Sequence, residues 1–74
     1  MKKLTAEITT PYITLEQCLK FMGLCSTGGE AKNLILDGFA TVNGEICTMR
    51  GKKLREGDTV IFNGNEITVK IQGI

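Results

Sequence analysis

Histidine and tryptophan are both missing from this chain. Without histidine, the commonest general base and the commonest zinc ligand are gone. The His-dependent triads and dyads of nucleophilic catalysis go with them. Proline occurs once, at Pro11, and aromatic residues make up only 5%. Binders that stack unpaired bases want exposed rings, and the candidates are Tyr12, Phe21, Phe39 and Phe62. Phe21 and Phe39 adjoin apolar faces and are expected in the core, which leaves Tyr12 as the exposed ring. No apolar run approaches the ~18 residues of a membrane span. The basic start, Met1-Lys2-Lys3, runs into Glu7 and Thr9-Thr10-Pro11, so no secretory signal is expected. Cys18, Cys25 and Cys47 are an odd set without metal or redox spacing. They read as small buried hydrophobes in a reducing, cytoplasmic setting, with no metal and no cofactor.

What is present is ordinary in amount and uneven in distribution. The 74 residues suffice for one domain, 1–74. Hydrophobic residues at 42% and charged residues at 23% exclude a disordered tail or a low-complexity linker. The net charge is +1, yet Arg50-Gly51-Lys52-Lys53-Leu54-Arg55 holds four of the nine basic residues and no acid. Without that segment the chain would stand at −3. A local basic patch on a mildly acidic domain points to a polyanion, or else to a solvated loop.

Leu4, Ala6 and Ile8 alternate with polar neighbours, which predicts a short first strand ending at Thr10-Pro11. Thr14-Leu15-Glu16-Gln17 has the capping-box pattern. Leu15, Cys18, Leu19 and Met22 then mark one apolar helical face, closed by Gly23. Glu16 and Lys20, at i and i+4, would form an outward pair worth about 0.3 kcal/mol. A second helix opens with another capping box, Thr27-Gly28-Gly29-Glu30. Ala31, Leu34 and Ile35 form its stripe, and Gly38 its end. The second half alternates like strands: 40–42, then Asn43-Gly44, then 45–48. After the basic segment and the turn Glu56-Gly57-Asp58 come 59–62, Asn63-Gly64, and Ile67, Val69, Ile71. Asn-Gly between alternating runs is a strong hairpin signal. The order is that of an α+β domain: two helices in the N-terminal half on a small, mainly antiparallel β-sheet.

No convergent catalytic set is visible. None of the acids has a partner carboxylate, and a nucleophilic cysteine would lack a base. Cys25, just before the second helix, could be made somewhat acidic by the helix dipole. An anion site is easier to assemble. The start of the second helix offers amides from Thr27 to Glu30 and a partial positive charge. Gly28 and Gly29 remove side chains that would hold a phosphate away, although they also suit a tight turn. Lys32 and Asn33 lie off the buried stripe. If segment 50–55 packs beside this helix, Arg50, Lys52, Lys53 and Arg55 complete a phosphate-binding surface.

Thr27-x-x-x-Ala31-x-x-Leu34-Ile35-x-x-Gly38-x-x-x-Val42-Asn43-Gly44, followed by Leu54-Arg55-x-Gly57-Asp58-x-Val60, resembles the S4 RNA-binding domain over about 13–60. Ser26-Thr27-Gly28-Gly29-Glu30-Ala31-Lys32, with the basic segment, is similar to the small stand-alone bacterial S4 proteins of the YaaA/YbcJ type. The resemblance implies an S4-like (αL motif) fold that sets its second helix against RNA. It implies Thr27 in the place of a capping Ser, a usually basic position at Lys32, and turns at Asn43-Gly44 and Gly57-Asp58. Gly28 departs from the Arg of larger S4 proteins, which removes one expected phosphate contact.

The expectation is a cytoplasmic, monomeric, non-enzymatic module that recognises structured RNA, ribosomal or transfer, by phosphate and shape rather than by base stacking. It would act in ribosome assembly or translation, with ribosomal proteins as further partners. The RNA-binding set is Thr27, Gly28, Gly29, Lys32, Asn33, Arg50, Lys52, Lys53 and Arg55. The alternative is a protein–protein adaptor using the same fold on a ribosomal or replication factor. A ubiquitin-like carrier is disfavoured, because Gln72-Gly73-Ile74 is not a Gly-Gly end. An edge left open by the last strand would be a site for pairing.

Overall fold

The computed structural model describes residues 1–72; Gly73 and Ile74, the last of the Gln72-Gly73-Ile74 end, lie outside the described residues. The chain runs β1 (Lys2–Ile8), β2 (Ile13–Thr14), α1 (Leu15–Phe21), α2 (Gly28–Leu36), β3 (Ala40–Val42), β4 (Glu45–Ile46), β5 (Lys53–Leu54), β6 (Thr59–Phe62) and β7 (Asn65–Ile71). Alternation decides β1: Ala6 and Ile8 are buried, whereas Lys3, Thr5 and Glu7 face water.

Both helices are bounded as their sequences require. At α1, the Thr14 hydroxyl accepts from the Gln17 amide and the Gln17 side chain accepts from the Thr14 amide, a complete capping box. Gly23 and Gly38 follow the helices at φ 73° and 85°. The Leu24 amide donates to the Leu19 carbonyl, and the Phe39 amide to that of Leu34. These are Schellman ends, which need a residue free to adopt positive φ.

A five-stranded sheet has the order β1-β7-β6-β3-β4, and β2 with β5 forms a separate two-stranded ladder. The hairpins β3–β4 and β6–β7 turn at Asn43-Gly44 and Asn63-Gly64, with positive φ at all four residues. That is the backbone which suits a two-residue connection. The sheet is mainly antiparallel, as expected: β7–β6, β6–β3 and β3–β4 pair antiparallel, and β1–β7 is the one parallel pair among the described residues. Its two seven-residue strands, β1 and β7, pair in parallel from Lys2↔Asn65 to Ile8↔Ile71. Alternation tells which face a strand buries and not which strand lies beside it. Parallel neighbours need a crossover, supplied here by everything between Ile8 and Asn65. In consequence β7 is an interior strand, and the edge expected there is covered by β1.

Leu15, Cys18 and Leu19 of α1 and Ala31 and Ile35 of α2 pack with Val60, Ile67 and Val69 of the sheet. Leu54 joins them, fully buried. Two aromatic expectations fail. Phe21 is 59% and Phe39 62% exposed, while Phe62 is buried. Phe21 lies off the Leu15–Cys18–Leu19 stripe of α1. Phe39 precedes the buried Ala40 and takes the outward phase of the alternation.

Candidate nucleic-acid interface

Segment 50–55 is strapped to the start of α1; packing beside α2 is the condition on which the sequence reading made it a phosphate surface. The first amides of a helix have no partner within it. Here the Leu15 amide donates to the Lys52 carbonyl at 2.9 Å and the Glu16 amide to the Arg50 carbonyl at 3.0 Å. Strand β5 extends the contact, pairing Ile13 with Leu54 and Thr14 with Lys53. The inward Leu54 leaves Lys53 and Arg55 on the opposite, exposed side. The backbone of the basic segment thus caps α1, and its four cationic side chains remain exposed to solvent.

Each cation has a defined neighbourhood. Arg50 lies 3.8 Å from the Glu16 carboxylate. Lys53 Nζ and the Arg55 guanidinium sit 5.0 and 5.7 Å from the centre of the Tyr12 ring, within cation–π range. Lys52 and Arg55 face Asp58, whose carboxyl is held below its ordinary pKa. The main cause is the Arg55 amide, which donates to it; the Asn43 side chain and the two cations add to the effect. Asn43 also accepts from the Thr59 amide at 2.9 Å. The turns Asn43-Gly44 and Gly57-Asp58 are therefore tied together beside the basic strap.

The start of α2 differs in detail from its capping-box reading. The Thr27 hydroxyl accepts from the Glu30 amide as expected. The Glu30 carboxylate passes Thr27 and accepts from the Ser26 amide at 3.0 Å. It also lies beside Cys25, so burial first and then the Glu30 charge push that thiol up. The dipole reading of an acidic Cys25 is overturned: a carboxylate stands where the dipole was expected to act.

Gly28 and Gly29 separate here. A Cβ on Gly28 would lie 2.8 Å from Glu16 Oε1 and 3.9 Å from Lys20 Nζ. Glu16 is thus poised between Arg50 and the start of α2, and not paired with Lys20 as expected. A Cβ on Gly29 would meet nothing within 4 Å, and its φ is not positive. Open space for an anion accordingly lies on the Gly29 side. Lys32 and Asn33 are exposed on α2. The structure brings Arg50 to the start of α2 through Glu16, and groups Lys53 and Arg55 around Tyr12. The sequence reading missed Lys20 and Phe21; the off-stripe position of Phe21 was the available signal.

A family model described as the S4 domain matches residues 6–70. The chain is 34% identical over 59 residues to "Putative RNA-binding protein YbcJ" of Escherichia coli (strain K12), covering 80% of this chain and 84% of that protein. It is 40% identical over 57 residues to "Probable ribosome maturation protein RlbA" of Bacillus subtilis (strain 168), covering 77% and 80%. Two capped helices over a mixed sheet, tied Asn-Gly and Gly-Asp turns and a match across nearly the whole chain agree: this protein belongs to the S4 domain family and is of the YbcJ type.

Proposed function

We propose that this protein is a non-enzymatic RNA-binding module that grips structured RNA, ribosomal RNA first among candidates, during ribosome maturation or translation in the cytoplasm. The observation that carries the reading is the strap. Its Arg50 and Lys52 carbonyls cap α1, Lys53–Leu54 pair with β2 and the Arg55 amide donates to Asp58, while Arg50, Lys52, Lys53 and Arg55 are held exposed on a short, anchored segment. A floppy basic loop would lose entropy on meeting RNA; an anchored one has lost it already. Lys32 and the Gly29 side of the α2 start extend the surface. The names of the two relatives, one RNA-binding and one of ribosome maturation, support the same reading.

The direct test is the triple variant Lys52→Ala, Lys53→Ala, Arg55→Ala. It should fold, since no side chain of the three is in the core, and should lose RNA crosslinks that the wild type makes in cells. For about four neutralised phosphates, raising salt from 50 to 200 mM should weaken binding about 50-fold to 150-fold. A flat salt response, or full affinity in the folded triple variant, overturns the reading. The adaptor alternative has one observation in its favour. Leu36, Phe39, Ile46 and Met49 are all exposed, and an Ile46 methyl lies against Gly38. A protein partner retained by the triple variant and lost on changing Ile46 and Met49 to Ser would favour it.

A further inference from the structure

An open groove of about 690 Å³ runs between the end of β1 and the outer face of α1. That volume is within the ~300–1,000 Å³ of small-ligand clefts. Tyr12 and Phe21 stand among its lining residues, with Lys20, Gln17 and Thr10. Phe21 is 59% exposed, an arrangement that core packing does not explain. The Thr10 hydroxyl donates to the Tyr12 backbone carbonyl at 2.8 Å, which fixes the turn that carries the ring. Around the ring stand Lys53 and Arg55. Among the described residues the one carboxylate lining the groove, Glu7, accepts from the Gln72 side chain at 2.9 Å.

Two exposed rings on one groove, with Lys20 in its wall and Lys53 and Arg55 over the Tyr12 ring, match one chemistry well. A nucleobase offers a flat face to an aromatic ring, and its flanking phosphates seek Lys and Arg. We infer that this groove receives an unpaired nucleotide of the bound RNA, its base stacked on Tyr12 and its flanking phosphates on Lys20, Lys53 and Arg55. The inference rests on the RNA-binding reading and deepens it: the strap holds the RNA backbone, and Tyr12 distinguishes unpaired from paired segments. In the free protein the two cations keep the ring in place. Neither is part of the groove's own lining, so a base can enter along the groove while Lys53 and Arg55, beside the same ring, reach its flanking phosphates.

The probes are two labelled RNA hairpins with the same stem, one with a four-adenine loop and one with four abasic loop sites. Charge and stem are equal, so only loop bases differ. The wild type should bind the adenine loop about 5-fold to 150-fold more tightly, the range that base–aromatic stacking supplies. Tyr12→Leu should bind both hairpins alike, and Tyr12→Phe should restore the preference. The chain has one tyrosine and no tryptophan, so intrinsic fluorescence reports this ring alone, and the adenine loop should quench it more than the abasic one. Equal binding of both hairpins by the wild type overturns the inference and leaves the RNA-binding reading standing. A preference that survives in Tyr12→Leu overturns it as well. Failure to bind either hairpin removes both.

Discussion

Replacing Gly29 by alanine separates what α2 needs for its own stability from what it offers a ligand. Alanine is the best helix former, and glycine costs about 1 kcal/mol relative to it in a helix interior. Gly29 is the second residue of α2, where the helix frays, so about 0.5–1 kcal/mol is expected. Nothing in the fold opposes the change: φ is not positive and the added methyl meets no atom within 4 Å. The variant should therefore melt higher, by about 2–8 °C for a domain of this size. If a phosphate docks on the amides here, the methyl intrudes on it. Loss of one hydrogen bond to a charged group is worth about 1.5–3 kcal/mol, or about 10-fold to 150-fold in affinity. Thermal unfolding by circular dichroism and RNA binding by anisotropy give the two numbers. A higher melting temperature with unchanged affinity refutes the anion seat. A lower melting temperature refutes the account of the backbone. Gly28→Ala is the contrasting case, because its methyl must first displace the Glu16 carboxylate from 2.8 Å.

Three further outcomes follow from the geometry. Asp58→Ala removes the acceptor of the Arg55 amide and the Asn43 side chain and should cost about 1–2 kcal/mol in urea unfolding at pH 7. The Asp58 pKa is lower folded than unfolded, so its stabilisation is present above about pH 4 and lost as pH falls through the folded pKa. The gap between wild type and variant should close on acidification, and a constant gap would locate the effect elsewhere. Thr41 Oγ1 is buried with no hydrogen-bond partner among the described residues, so Thr41→Val should stabilise by about 1 kcal/mol; a loss of stability would mean that the hydroxyl is satisfied in solution. Timed alkylation at pH 8 should label Cys47, the half-buried thiol, before Cys25 and Cys18. Burial pushes the Cys18 thiol up to about 11, and early labelling of Cys18 would show that α1 opens readily.

Local chemistry was legible from the order of residues alone. The Thr14–Gln17 capping box, the glycines that end both helices and the two Asn-Gly hairpins each involve residues a few positions apart. Such neighbours meet whatever the rest of the chain does. The basic character of 50–55 and the exposure of Lys32 were equally readable. Tertiary structure alone decided who stands next to whom across the chain. It paired β1 in parallel with β7, because the crossover returns the chain in the same direction and alternation is silent about neighbours. It laid the basic strap on α1, because two orphan amides at Leu15 and Glu16 could be met by the carbonyls of Lys52 and Arg50. It turned Glu16 from Lys20 towards Arg50 and the start of α2, which distinguishes two adjacent glycines that look alike in the sequence. And it left Phe21 in water on the same groove as Tyr12 and Lys20, with Lys53 and Arg55 from the strap over the Tyr12 ring. Periodicity reports burial within one element; convergence of side chains from three elements depends on distances that no spacing in the sequence encodes.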